Sequence, residues 1–300
     1  MAEIGLVQFA QVALPVAETI LPRYRSKFSK HQFTQPQLLV LLCLMRYEDW
    51  TFRETEVRLS EHSDLCHALQ IDHAPDYTTL YRFMRRLDDT VIEQLLHETV
   101  RQMPPLSQER LTVAVDATGL TSGAVSTFFV HRRRDQPPGF TWRHWVKWVV
   151  AVDVSRQVLL AQIAKRGPTN DSATLRPLVD RASQVQPLGL VLADGEFDSE
   201  RNHQHVRALG AKSIIPARRG KRTWKIQGLR ARMRRRFPRK QYRQRALIES
   251  VFSAVKRKLS MKAPGRTTET QSVQALLLGL TFNLYRLRLC PLAAFTHSFP

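Results

Sequence analysis

Three acidic residues stand where a carboxylate can do chemistry. Asp116 ends the apolar run Val113-Ala114-Val115, and Asp194 directly follows Leu190-Val191-Leu192-Ala193. A strand end aims its side chain at the crevice where α/β sheets place their sites, although an aspartate in a turn at a strand terminus is also common. Glu249 is the sole acid among 19 lysines and arginines in residues 211–262. Tyr242, Arg245, Glu249 and Lys256 are spaced 3, 4 and 7 residues apart. At about 100° per residue of α-helix they fall within roughly 60° of one face. An ordinary amphipathic helix with an i,i+4 Arg–Glu pair would account for two of the four, but not for the stripe. With no paired Cys and no clustered His, three carboxylates suit a hard cation with oxygen ligands, Mg²⁺ or Mn²⁺. Two such ions can stabilise the attacking and leaving oxygens of a phosphodiester displacement, while surrounding cations hold the phosphates.

The charge distribution points the same way. The 300 residues carry 46 Lys and Arg against 26 Asp and Glu, a net charge of +20. Residues 1–110 are net −3, residues 111–210 net +3, and residues 211–300 net +20. A block of one sign is either a disordered tail or a face for a polyanion. This block also contains Ile214, Ile215, Trp224, Ile226, Leu229, Met233, Phe237 and Tyr242, so an ordered nucleic-acid face is expected, with Arg234, Arg235 and Arg236 as phosphate contacts. An anionic membrane surface is the other polyanion. It would need a basic amphipathic helix with a bulky apolar face, and would leave the acids without a role. The apolar stretch from Ala275 to Phe282 is closed by Asn283 and Arg286, too short to span a bilayer. Glu3 and Glu18 replace the basic start of a signal peptide. The three cysteines, Cys43, Cys66 and Cys290, are odd in number and far apart, which excludes a disulfide scaffold and a zinc ribbon. A cytoplasmic, nucleoid-associated protein is expected.

The elements that must position these acids follow from period and punctuation. Residues 1–103 read as helical, with apolar faces at Gln35–Tyr47 and Val91–Arg101. Ala74-Pro75-Asp76 is a stop-and-start signal before a helix that turns Leu80, Tyr81, Met84 and Leu87 inward. Arg82, Arg85 and Arg86 would lie on its surface, an arrangement like a DNA-reading helix-turn-helix. Pro104-Pro105 marks a linker. From Leu111 the pattern alternates as strands do. Strands are expected at Leu111–Asp116, Thr127–His131, Trp145–Val154, Val158–Ile163, Leu188–Ala193 and Lys212–Ile215, with helices at Asp171–Gln184 and Glu200–Leu209. That order predicts an α/β mixed sheet. Helices are expected over Gln241–Leu259 and Thr268–Leu289. The chain thus divides into a helical DNA-binding unit, 1–105, and a catalytic unit, 106–300, that includes the basic segment.

Tyr242, Arg245, Glu249 and Lys256 match, without a gap, the Tyr-Arg-Glu-Lys signature of the DDE transposases of bacterial insertion sequences, which this chain resembles. VAVDATG around Asp116 resembles the first acid motif of that family, and LADGEFDS around Asp194 the second, with Phe197 one position later than the usual aromatic. Asn170-Asp171 and the closing stretch through Asn283 are also similar. The resemblance covers residues 108–290 and implies a ribonuclease H-like core binding two divalent metal ions. It implies that water attacks a phosphodiester at each transposon end, and that the exposed 3′-hydroxyl then joins target DNA. Asp116 would bridge the ions, with Asp194 and Glu249 each completing one. Tyr242, Arg245 and Lys256 would contact the double-stranded transposon end, and the N-terminal helices would read its sequence. A synaptic complex of two or more copies is implied.

Two other readings stand beside this one: a domesticated transposase that only binds DNA, and a ribonuclease H-like nuclease that cuts without joining. Among lesser candidates, His131-Arg132-Arg133-Arg134 could grip phosphate, and Trp224 could stack on a base. His203 and His205 are too isolated for a metal site. Trp142, Trp145 and Trp148 read as packing residues.

Overall fold

The computed structural model describes residues 5–28, 30–105, 108–122, 145–167, 169–218 and 227–288. The expected strand at 127–131, His131–Arg134, Trp142, Trp224 and Cys290 lie outside the described residues.

Six helices come first: α1 Leu6–Ile20, α2 Gln35–Tyr47, α3 Phe52–Glu61, α4 Ser63–Ala68, α5 Tyr77–Met84 and α6 Asp89–Arg101. Their starts are written in the sequence. Thr34 with Gln37, and Thr51 with Glu54, close reciprocal capping boxes at α2 and α3. Asp76 and Asp88 cap α5 and α6 by accepting from Thr78 N and Thr90 N. The helix expected to carry three arginines is shorter than its pattern: Arg82 lies in α5, Arg85 is its C-cap and Arg86 lies beyond.

The sheet is built from β1 Leu111–Thr121, β2 Trp145–Asp153, β3 Val158–Arg166, β4 Leu188–Ala193 and β5 Lys212–Ile214. Its order is β3-β2-β1-β4-β5. The first three strands form an antiparallel meander, and β4 and β5 join β1 in parallel. This is the mixed α/β sheet of a ribonuclease H-like core. Helix α7 Leu175–Ser183 precedes β4, and α8 Glu200–Ala208 precedes β5.

Beyond the sheet lie α9 Gly228–Arg235, the single turn α10 Arg239–Tyr242, a 3₁₀ turn Arg243–Ala246, α11 Leu247–Lys258 and α12 Thr268–Arg288. The single helix expected over Gln241–Leu259 is therefore broken by a tighter turn immediately before Leu247. A uniform 100° step does not hold across it, because a 3₁₀ segment turns in three residues.

Helix α12 is buried along most of its length. Together with α1, α2 and α6 it shares one continuous apolar core with the sheet, from Phe9 through Leu41 and Leu95 to Val150 and Tyr285. Two polar side chains fix its register. Gln162 of β3 accepts from Trp148 Nε1 and donates to Leu276 O. It approaches so closely that a Cβ on Gly279 would lie 2.1 Å from its Oε1. Asn283 accepts from Leu159 N and donates to Leu159 O, at 2.9 and 2.8 Å. It thereby serves the backbone where the β2–β3 register shifts.

Candidate active site

Asp116 does not end its strand. Strand β1 runs on to Thr121, paired with β2, but its parallel pairing with β4 stops at Val115–Ala193. Asp116 and Asp194 are the next residues on two neighbouring strands, at the carboxyl edge of the parallel half of the sheet, where such sheets place ligands. Asp194 Oδ1 accepts from Glu196 N at 2.7 Å, which fixes the turn Gly195–Phe197. Asp116 Oδ1 accepts from Ala117 N at 2.9 Å. Burial pushes the Asp116 carboxyl above the usual range, against the Ala117 hydrogen bond and the nearby Arg245 guanidinium. The negative field of Asp194 adds to the push.

Arg245 supplies the link to the third acid. Its guanidinium donates to Asp116 Oδ2 at 2.8 Å and stands 3.6 Å from Glu249 Oε1. Glu249 lies in the first turn of α11, with 66% of its side chain exposed. Tyr242 places its ring 5.8 Å from the Arg245 guanidinium carbon and packs edge-on against Phe237. Beneath it, Leu192, Ile214 and Met233 form a small separate core that seats α9 against β4 and β5. Lys256 is exposed on α11, two turns beyond Glu249. The structure thus brings Asp116, Asp194, Arg245, Glu249 and Tyr242 together. Among the described residues, no three His, Cys, Asp or Glu side chains are grouped so that they could hold a metal ion. Asp116 and Asp194 offer oxygen donors side by side, while one guanidinium separates Asp116 from Glu249.

The other expected contacts stand apart. Arg234 and Arg235 end α9, with Arg236 as its cap, all exposed. Arg82, Arg85 and Arg86 are exposed at α5, which packs on α2 and α3. His203 and His205 make no cluster: His203 Nδ1 meets Ser213 Oγ, and His205 Nε2 meets Asp180. Trp148 is buried against Phe252, and Trp145 packs over Gly119 and Gly167.

Two polar assemblies escaped the sequence reading. On the sheet face opposite Asp116, set by the pairing of Lys147 with Gly119, Lys147 Nζ lies 2.5 Å from buried Asp171 Oδ1 and 4.0 Å from Glu196. It also donates to Thr169 O. The hydrogen-bonded Asp171 carboxyl raises Glu196 above the usual range, with burial and Asp194 adding. The second assembly moors the basic segment. Asp198 is fully buried and takes a two-pronged contact from Arg230 at 2.6–3.0 Å, together with Arg218 N. Glu200 accepts from Leu229 N and Arg230 N at the start of α9. The available signal was the density of acid in Asp194-Gly-Glu196-Phe-Asp198-Ser-Glu200, four carboxylates facing an arginine-rich partner.

A family model described as "Transposase DDE domain" matches residues 107–284, more than half of the chain. A search of curated protein sequences finds no match. Among solved structures, the piggyBac transposase synaptic complex with hairpin DNA superposes with a TM-score of 0.51 at 10% identity, over 94% of this chain and 74% of that one. A Mos1 transposase paired-end complex with the left transposon end gives a TM-score of 0.25 at 13% identity, over 79% and 82% of the two chains. Members of the matched family use divalent metal ions. The piggyBac likeness supports the fold, and the family model extends across both aspartates, Arg245 and Glu249: the chain belongs to the DDE transposases, enzymes that act on DNA.

Proposed function

We propose that this transposase cleaves phosphodiesters at the ends of a DNA element with water, then transfers the freed 3′-hydroxyl to target DNA. The observation carrying this reading is the pairing that sets Asp116 beside Asp194, with Arg245 joining Asp116 to Glu249. The donor set suits a hard divalent cation. Two buried-edge carboxylates repel one another, and all candidate ligands are oxygens. Asp116, Asp194 and Glu249 would hold two Mg²⁺ or Mn²⁺ ions, which supply charge stabilisation for both the attacking and leaving oxygens. Arg245 holds Asp116 in place and keeps positive charge beside the reacting phosphate. Tyr242 keeps Arg245 from swinging away. Lys256, Arg234, Arg235 and Arg236 hold the flanking backbone. The N-terminal helices, through Arg82, Arg85 and Arg86, read the end sequence. Phosphate contacts position and base contacts specify, a division that fits the near-neutral first 110 residues and the basic remainder.

The partners in this reading are double-stranded element ends and target DNA, held by two or more copies in the cytoplasm, on the nucleoid. The piggyBac complex of similar fold is itself a synaptic complex with DNA. No helix among the described residues is long and apolar enough to cross a membrane.

Full-length protein, incubated with Mg²⁺ or Mn²⁺, a duplex carrying the inverted repeats that flank its coding sequence, and a supercoiled plasmid, should yield plasmid joined to the duplex. Nicked duplex without joined product would make the chain a nuclease. Shifted but intact DNA would make it a binding protein alone.

A further inference from the structure

We propose that the groove between the α1–α2 connection and α5 binds single-stranded DNA, at a site separate from the carboxylates. The inference rests on the reading of the chain as an enzyme of DNA.

The groove encloses about 480 Å³. Its floor is apolar, with Leu21, Phe33 and Phe83 among the lining residues. Its rim carries Arg25, Lys30, Arg82 and Arg86, all exposed. None of the four makes an ion pair within 4.0 Å among the described residues. The one acid lining the groove, Asp88, is engaged in capping Thr90 N. Four cations against one occupied acid is a local excess, since residues 1–110 as a whole are net −3. A site built this way attracts an anion with a flat apolar part.

The rim also holds a preformed stacking surface. The rings of Tyr24 and His31 lie 4.2 Å apart at 21°, and the Tyr24 hydroxyl donates to His31 O. His31 has φ 57°, in the left-handed region that a non-glycine residue enters at an energetic cost. Gln35 closes the base of the loop, its backbone N–H donating to Arg23 O and its side chain to Pro22 O. The loop therefore holds His31 flat against Tyr24, with its other face exposed.

Duplex DNA would use the cations but not the floor or the aromatic face, because its bases are stacked inside the helix. A single strand offers both parts at once. Its phosphates meet Arg25 and Lys30, and an unpaired base extends the Tyr24–His31 stack over the apolar floor. This is the combination of cationic track and aromatic platform that single strands require.

The test uses full-length protein and a 12-nucleotide strand containing 5-iododeoxyuridine, photocrosslinked and mapped by peptide mass spectrometry. Adducts are expected on residues 24–33. Two variants then report affinity by fluorescence anisotropy. His31→Gly keeps the left-handed backbone and removes the ring, and Tyr24→Leu removes the stacking partner. Each should weaken single-strand binding at least about fivefold, with duplex affinity unchanged. Adducts confined to residues 211–262, or equal adducts on residues 24–33 from a duplex of the same sequence, overturn the assignment. If wild-type protein joins DNA while the groove takes no adduct, this inference alone fails. If the groove is labelled but no joined product forms, the site stands and the transfer reading fails.

Discussion

Asp198→Asn should cost the protein several degrees of thermal stability, although the residue lies outside the three-acid constellation. Asp198 is fully buried and accepts three contacts from Arg230 and one from Arg218 N. The Asn variant keeps the shape and an acceptor but removes the charge. Breaking a buried ion pair by removing one partner costs about 3–5 kcal/mol. The Arg230 side chain is 27% exposed and keeps some of its water, which lowers the cost below that range, to about 2–3 kcal/mol. At about 2.1 cal/mol/K per residue of unfolding entropy, this lowers the melting temperature of a 300-residue chain by about 3–5 °C. The assay is a circular-dichroism melt of wild type, Asp198→Asn, Arg230→Gln and the double variant. The double variant should lose clearly less than the two singles together, because each single leaves the other partner stranded. A melting temperature for Asp198→Asn within about 1 °C of wild type would refute the idea that this pair moors the basic segment.

Other outcomes follow from the same geometry. Arg245→Lys keeps the charge but loses the fork that reaches both Asp116 and Glu249, and should slow single-turnover cleavage about tenfold or more; an unchanged rate would reduce Arg245 to a generic cation. Replacing Arg234, Arg235 and Arg236 together by Ala should weaken binding alike on all DNA sequences, and flatten the slope of log K against log salt by up to about 2.7. A loss confined to one sequence would mean that they read bases. Burial holds the His203 imidazole below its ordinary value of 6.5, although Asp198 and Glu200 pull it up. The unfolded chain therefore binds the proton first, and the stability from neutral His203 is present above about pH 6.5 and lost as pH falls below it. The melting-temperature advantage of wild type over His203→Gln should shrink between pH 7.5 and 5, and a constant difference would count against this.

The parts of the site that were legible before any coordinates were those governed by local pattern. Apolar runs of strand length located β1 and β4, and the structure sets the residues that follow them, Asp116 and Asp194, beside one another. Spacing also brought Arg245 and Glu249 together. The helix start at Asp76 is likewise local. What was not legible depends on pairing across the chain. That β1 continues past Asp116 is decided by β2, which lends it a partner to Thr121. The 3₁₀ turn before α11 places Arg245 on Asp116, 129 residues away in sequence. Lys147 and Asp171 looked like a strand lysine and a helix-start aspartate. Only the sheet shows that they clasp the Asp194 loop from its opposite face. Helix α12 read as an apolar helix, but nothing local said that α1, α2 and α6 would share its core.

The central claim is that Asp116, Asp194 and Glu249 act as one unit in phosphodiester cleavage and joining. The most direct measurement compares wild type with Asp116→Asn, Asp194→Asn and Glu249→Gln. Each is given end duplex, target plasmid and Mg²⁺, with DNA binding measured on the same preparations. Each variant should lose cleavage and joining together while binding duplex within about threefold of wild type, since none of the three substitutions removes a cation that holds phosphate. Mg²⁺-dependent cleavage retained near the wild-type rate by any one of them would contradict the account.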